Sequence, residues 1–82
     1  MSWTVYILRC ADDSLYTGIT TDVIRRVDEH NNDNNKGARY TRVRRPVELI
    51  YQESHDDRSN ASQREHSIKR LSRQQKLAMI SS

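Results

Sequence analysis

The 82-residue sequence predicts a small α/β domain, a three-stranded antiparallel sheet flanked by three helices in the order ββαβαα. Three observations carry this. Two segments rich in aromatic and β-branched residues, 3–10 and 15–20, are separated by a short polar turn cluster and so form an antiparallel hairpin. Pro46 opens a third such segment, over 47–53. The stretches between and after these strands carry apolar residues at helical spacing. Helices on a small sheet make an α/β sandwich. Neither a GxGxxG fingerprint nor a Walker lysine motif occurs, so nucleotide-cofactor binding has no support.

In chain order, Trp3-Thr4-Val5-Tyr6-Ile7-Leu8-Arg9-Cys10 reads as a strand and Ala11-Asp12-Asp13-Ser14 as a turn. Leu15-Tyr16-Thr17-Gly18-Ile19-Thr20 is the return strand. Gly18 within it marks a bulge, an exit or a close approach to the backbone. Thr20 or Thr21 caps a helix over about 22–33, with Asp22 favourable at its positive end and Val23, Ile24 and Val27 as its apolar face. Asn31-Asn32-Asp33-Asn34-Asn35 ends that helix and is too polar to pack, which predicts a mobile stretch. A long basic loop, 34–45, leads to Pro46 and the third strand. His55-Asp56-Asp57 turns, Ser59 caps a helix over about 60–71, and Ala61, Ile68 and Leu71 form its stripe with Glu65 alongside. Ser72 and Gln75 form a capping box that opens a last short helix.

Length and composition allow one domain, residues 1–82, with a thin core. Apolar residues are 34% and charged residues 30% of the chain. That balance fits a folded domain with a strongly solvated surface. No apolar run is long enough for a transmembrane helix, and Met1-Ser2-Trp3-Thr4-Val5 lacks a basic n-region, so neither a membrane nor secretion is expected. The single Cys10 excludes an internal disulfide framework and a multi-cysteine zinc site, and it fits a reducing cytoplasm. Net charge is +3 but unevenly spread. Lys36, Arg39, Arg42, Arg44 and Arg45 form one block without an acid. Arg64, Lys69, Arg70, Arg73 and Lys76 form another, with Glu65 as its one acid. Two dense basic blocks are the electrostatic footprint of a polyanion binder, although charge by itself also fits a merely solvated face.

No serine lies in a GxSxG context, and His30, His55 and His66 lack metal-ligand spacing. The reactive set that remains is Tyr6, Tyr16, Arg26, His30 and Glu65. Taken singly each has an ordinary role: Tyr6 and Tyr16 as hairpin core aromatics, Arg26 as a surface arginine, His30 as a solvated or capping residue. Glu65, alone amid cations beside an apolar stripe, needs a partner, and by spacing that partner is Arg64, Lys69 or an arginine of the first helix.

Their order makes the set specific. Val5-Tyr6-Ile7, then Leu15-Tyr16-Thr17-Gly18, then the Asp22 to His30 helix with Arg26, and finally Glu65 on a later helix resemble the GIY-YIG nuclease superfamily. The likeness is closest to its small single-domain bacterial members (the YhbQ-like group), which share the segments Lys36-Gly37-Ala38-Arg39-Tyr40-Thr41 and Lys69-Arg70-Leu71-Ser72. It covers residues 3–80. It departs in having Thr4 where the first motif has glycine, and in having no Asn within 75–82.

The resemblance implies a GIY-YIG-like α/β fold and a metal-dependent endonuclease that hydrolyses phosphodiester bonds, with DNA favoured over RNA. It implies catalytic roles for Tyr6, Tyr16, Arg26 and His30, a structural-motif role for Gly18, and one Mg²⁺ or Mn²⁺ ion on Glu65. Such an ion keeps several waters and takes phosphate oxygens. Arg26 is a fixed, always-charged fork for a phosphate. Tyr6 serves as a general base only if its pKa, normally ~10, is lowered. Lys36, Arg39, Arg42, Arg44 and Arg45 are expected to hold the flanking backbone, and Tyr40 to stack on a base. A cytoplasmic monomer in DNA repair, with a protein partner assisting it, completes the expectation. The alternative is a nucleic-acid-binding module that keeps the fold with little or no cleavage.

Overall fold

The structure, a computed structural model, describes residues 2–81. Strand β1 (Trp3–Arg9) lies at the centre of the sheet, β2 (Leu15–Thr20) on one side and β3 (Glu48–His55) on the other, all antiparallel. Its central place explains its composition. Val5, Tyr6, Ile7 and Leu8 are all buried, because both faces of β1 are covered, so its apolar run is continuous rather than alternating. Val5 and Ile7 pack with Ala61 and Ile68 on one face. Tyr6, Leu8, Cys10 and Val47 pack with Val23 and Val27 on the other. The expected sheet and the order ββαβαα are both present, with one further short helix in the basic loop.

The turn between β1 and β2 is built by Asp12, whose Oδ1 accepts from the amide and the hydroxyl of Ser14 (3.1 and 2.6 Å), and by Asp13, which takes a φ of 68°. Asp is among the few non-glycine residues that tolerate this left-handed conformation. The bulge falls not at Gly18 but on β3, where the partners of Ile7 and Leu8 are Tyr51 and Leu49, leaving Ile50 as the extra residue.

Helix α1 (Val23–Asn32) is capped by Asp22, whose carboxylate accepts from the Arg25 amide at 3.1 Å. Neither threonine is the cap: Thr20 instead accepts from the Asp22 amide at 3.1 Å and orients it. Val23 and Val27 reach the core, whereas Ile24 is 82% exposed. Val23, Val27 and the buried His30 follow one row at i, i+4 and i+7, and Ile24, about 100° round the helix from Val23, falls outside it. Asn31, expected to be too polar to pack, fastens the end of α1 to the residue just before β3: its side-chain amide donates to the Val47 carbonyl (3.1 Å) and accepts from the Val47 amide (2.7 Å). Asp33 Oδ1 accepts from the amides of Asn35 and Lys36 at 2.8 Å each. The stretch expected to be mobile is thus tied at several points.

Helix α2 (Arg39–Arg42) was not expected; it is one turn long and hangs on the fully buried Thr41. Helix α3 (Arg58–Lys69) is capped by Asp57 rather than Ser59: the Asp57 carboxylate accepts from the Asn60 amide at 2.8 Å, and Ser59 already lies within the first turn. Helix α4 (Arg73–Ser81) opens on the capping box expected of it: the Gln75 amide donates to Ser72 Oγ (3.1 Å) and the Ser72 amide to Gln75 Oε1 (2.9 Å).

Candidate active site

Tyr6 sits mid-strand on the α1 side of the sheet, directly across from Gly18. A Cβ at Gly18 would lie 2.5 Å from the Tyr6 hydroxyl and 2.7 Å from the adjoining ring carbon. Close approach is therefore what glycine serves there: it opens the slot in which the phenol lies over β2.

Burial then dictates hydrogen bonding. The Tyr6 hydroxyl lies 2.9 Å from His30 Nε2, and His30 Nδ1 lies 2.7 Å from Thr41 Oγ1. Thr41 spends its own proton on the Ala38 carbonyl (3.0 Å), so its oxygen must accept from Nδ1–H. Nε2 is then the bare nitrogen, and Tyr6 donates to it. Burial, with Arg26 and Arg45 nearby, pushes the His30 pKa down to about 4, so the ring is neutral at pH 7 and this tautomer is the populated one. Burial pushes the Tyr6 phenol up to about 12, against a lowering contact from the Arg26 guanidinium. The lowering on which a general-base role for Tyr6 depends is not present. The phenol keeps its proton and has a neutral imidazole to pass it to.

Arg26 is positioned on α1 by two bonds from Nη1, to Glu29 Oε1 (3.0 Å) and to the Lys36 carbonyl (2.6 Å). Tyr16 packs edge-on to His30 (centroids 5.2 Å apart) and stacks on Tyr40 (5.9 Å), over which the Arg44 guanidinium lies at 3.9 Å. The Tyr40 ring is thus already engaged by Tyr16 and Arg44, so base stacking there requires Arg44 to move aside. Glu65, on α3, is part-buried and close enough to the Tyr6 hydroxyl to raise its pKa by charge. It meets its expected kind of partner in Lys69, at 3.1 Å. Among the described residues no group of three or more His, Cys, Asp or Glu side chains is placed to hold a metal ion. Glu65 is a lone hard-oxygen donor, which suits an ion that fills its other positions with water and phosphate.

The five cations of the basic loop divide. Arg45 is a brace: it donates to the carbonyls of His30 (2.6 Å) and Asp33 (3.0 Å) and to Asn34 Oδ1 (3.0 Å), quenching the C-terminal end of α1. Arg42 donates to the Asn34 carbonyl (2.7 Å) and Arg44 pairs with Asp12 (3.0 Å). Lys36 and Arg39 are exposed. Cys10 is buried, and its thiol is pushed up by that burial, so it is no nucleophile. Thr41, Glu29 and Asn31 went unnoticed in the sequence. The one signal for Thr41 was its place at the end of Lys36-Gly37-Ala38-Arg39-Tyr40-Thr41.

An open cavity of about 660 Å³, lined by residues such as Cys10, Val27, Pro46 and Leu49, lies elsewhere and touches none of the tyrosines. The phenol–imidazole pair instead lies under a basic surface, an arrangement suited to a polymeric anion rather than an engulfed small molecule.

With the β2-β1-β3 sheet order, this layout puts the chain in the class of small α/β nuclease domains. The profile of the GIY-YIG catalytic domain matches residues 2–78, and the chain belongs to that family of nucleases. A UPF0213 protein of Desulfotalea psychrophila is 57% identical over 79 residues, 96% of this chain and 71% of its own. One from Staphylococcus epidermidis is 58% identical over 76 residues, 93% and 90% of the two chains. The solution NMR structure of a UPF0213 protein from Bacillus halodurans superposes with a TM-score of 0.63 at 43% identity, covering 99% of this chain and 84% of its own. No helix among the described residues is long and apolar enough to cross a membrane.

Proposed function

We propose that this protein is a metal-assisted endonuclease that hydrolyses phosphodiester bonds in nucleic acid, DNA in preference to RNA. The observation that carries the reading is the buried chain of hydrogen bonds from Tyr6 through His30 to Thr41, with Arg26 beside the phenol. An attacking water gives its proton to the Tyr6 oxygen as Tyr6 gives its own to His30 Nε2, so no free phenolate has to form. The water oxygen forms a new bond to phosphorus, and the bond to the leaving oxygen breaks. Arg26 holds a phosphate oxygen and meets the charge that grows there. Tyr16 keeps the His30 ring edge in place. Lys36, Arg39, Arg42 and Arg44 hold the flanking backbone. Glu65 would hold one Mg²⁺ or Mn²⁺ ion, which when bound neutralises charge on the phosphate and the leaving oxygen.

The Glu65–Lys69 pair favours the second reading, a binding module with little cleavage, because the carboxylate already has a cation. A cleavage assay with Mg²⁺, Mn²⁺ or EDTA over duplex, flap, single-stranded and RNA substrates decides between them. Metal-dependent cutting of any of these supports the enzyme. Binding without cutting on all of them supports the module.

A further inference from the structure

The two basic blocks, distant in sequence, meet at one place in the fold. Arg44, from the loop block, pairs with Asp12 at 3.0 Å. Arg73, the first residue of α4, pairs with Asp13 at 3.0 Å and also donates to the Asp13 carbonyl. Asp12 and Asp13 are consecutive on the β1–β2 turn, so their Cα atoms are ~3.8 Å apart. The two guanidiniums therefore flank one turn, within reach of a few successive phosphates of one strand. Arg44 also lies over Tyr40, which stacks on Tyr16. A continuous line of side chains leads from the tyrosine site to this turn.

We infer that the β1–β2 turn is a crossing point for the nucleic-acid backbone, where Asp12 and Asp13 stand in for phosphates and keep Arg44 and Arg73 aligned until a strand displaces them. The inference rests on the nuclease reading and adds to it the second half of the track. Both pairs are exposed, with Asp13 71% and Asp12 49% accessible at the side chain. Exposed pairs are weak and screened by salt, so a polyanion displaces them readily. The turn does not need their negative charge. Asn keeps the oxygen that accepts from Ser14, and Asn tolerates the positive φ at position 13.

The test is binding of a labelled single-stranded DNA of about twenty nucleotides in EDTA, measured across a salt series. Arg44→Gln and Arg73→Gln should each weaken binding, and each should flatten the salt slope by ~0.7, the share of one phosphate contact on a single strand. Asp12→Asn with Asp13→Asn should tighten binding about three- to tenfold. A matched control, Asp28→Asn with Asp56→Asn, removes the same charge from exposed acids elsewhere and should tighten it less. An Arg73→Gln protein that binds as wild type, or a control that tightens binding as much as the turn variant, overturns the inference and leaves the nuclease reading standing. Wild-type protein that binds no nucleic acid at low salt overturns both.

Discussion

Two clusters of the same residue types occupy opposite faces of one sheet. On the α1 face, Tyr6 donates to a neutral His30 and Arg26 stands beside them. On the α3 face, Glu53 accepts from Tyr51 (2.5 Å), binds His55 (2.6 Å) and pairs with Arg64 (3.1 Å). The second cluster is closed: a carboxylate collects all three partners. Burial works to raise the Glu53 pKa, and those bonds together hold it below the ordinary value. In the first cluster the one bonded carboxylate, Glu29, reaches only Arg26 of its members, and the chain from Tyr6 through His30 to Thr41 contains none. Its proton acceptor is uncharged and the nearest formal charge is positive. A phosphate fits the first and is repelled by the second. Tyrosine, histidine and arginine thus become a structural clamp or a catalytic candidate according to whether an acid takes the phenol and the imidazole as its own partners.

The largest expected contrast is between the two glutamates. Glu65→Gln should lower metal-dependent cleavage by orders of magnitude, with binding retained or improved and the thermal midpoint little changed. Glu53→Gln should do the reverse, leaving cleavage per folded molecule intact and lowering stability by about 1–3 kcal/mol, because Arg64 loses its counter-charge. Cleavage, binding and thermal midpoint measured on the same samples separate the two. A stable Glu65→Gln protein cutting at the wild-type rate removes the one-metal mechanism.

Arg26→Ala should lower both cleavage and binding, since its guanidinium serves the phosphate in each, whereas Arg64→Ala should lower neither by more than its cost in stability. Gly18→Ala is a subtler way into the first cluster. The added methyl meets the Tyr6 hydroxyl, and the ring must shift, at about 1–3 kcal/mol. Cleavage falls with it because the Tyr6–His30 bond is lost. A Gly18→Ala protein with unchanged melting and cleavage would show that the slot is not needed.

A further expected effect is in stability against pH, and it separates the faces along the pH axis. His30 is held at about 4 in the fold, against an unfolded value near 6.5. Its contribution is therefore complete above 6.5 and is lost as pH falls through 6.5 towards 4, by about 3 kcal/mol in total. Glu53 is also depressed, so its contribution is present above the ordinary carboxylate range and is lost only below it. Denaturant unfolding should show the first loss in wild type and not in His30→Gln. A wild-type protein whose stability is flat from pH 6.5 to 5 contradicts the buried neutral ring.

The strands, the capping box of α4 and the spacing of tyrosines, arginine and glutamate were legible in the sequence because each rests on local chemistry: β propensity, a three-residue cap and an ordered motif. The first two N-caps were misplaced because Asp, Ser and Thr can all cap, and the choice depends on where the helix begins. The exposure of Ile24 depends on which row of α1 meets the sheet, that of Val23 and Val27 rather than its own. Thr41 and Asn31 were missed for a shared reason. A hydroxyl or an amide looks like surface until the fold supplies the buried partner it satisfies, His30 for one and the Val47 backbone for the other.

The central claim, that the buried phenol on the α1 face moves the proton, is tested most directly by removing one oxygen from each cluster. Single-turnover cleavage should be compared for wild type, Tyr6→Phe and Tyr51→Phe on the best substrate of the panel. Tyr6→Phe keeps the ring over Gly18 and lacks only the hydroxyl that faces His30. Its rate should fall by about 10²- to 10⁴-fold, as for loss of a general acid–base group. Tyr51→Phe should cut within about twofold of wild type, as a group remote from the reacting atoms. A folded Tyr6→Phe protein that cuts as fast as wild type would contradict the claim.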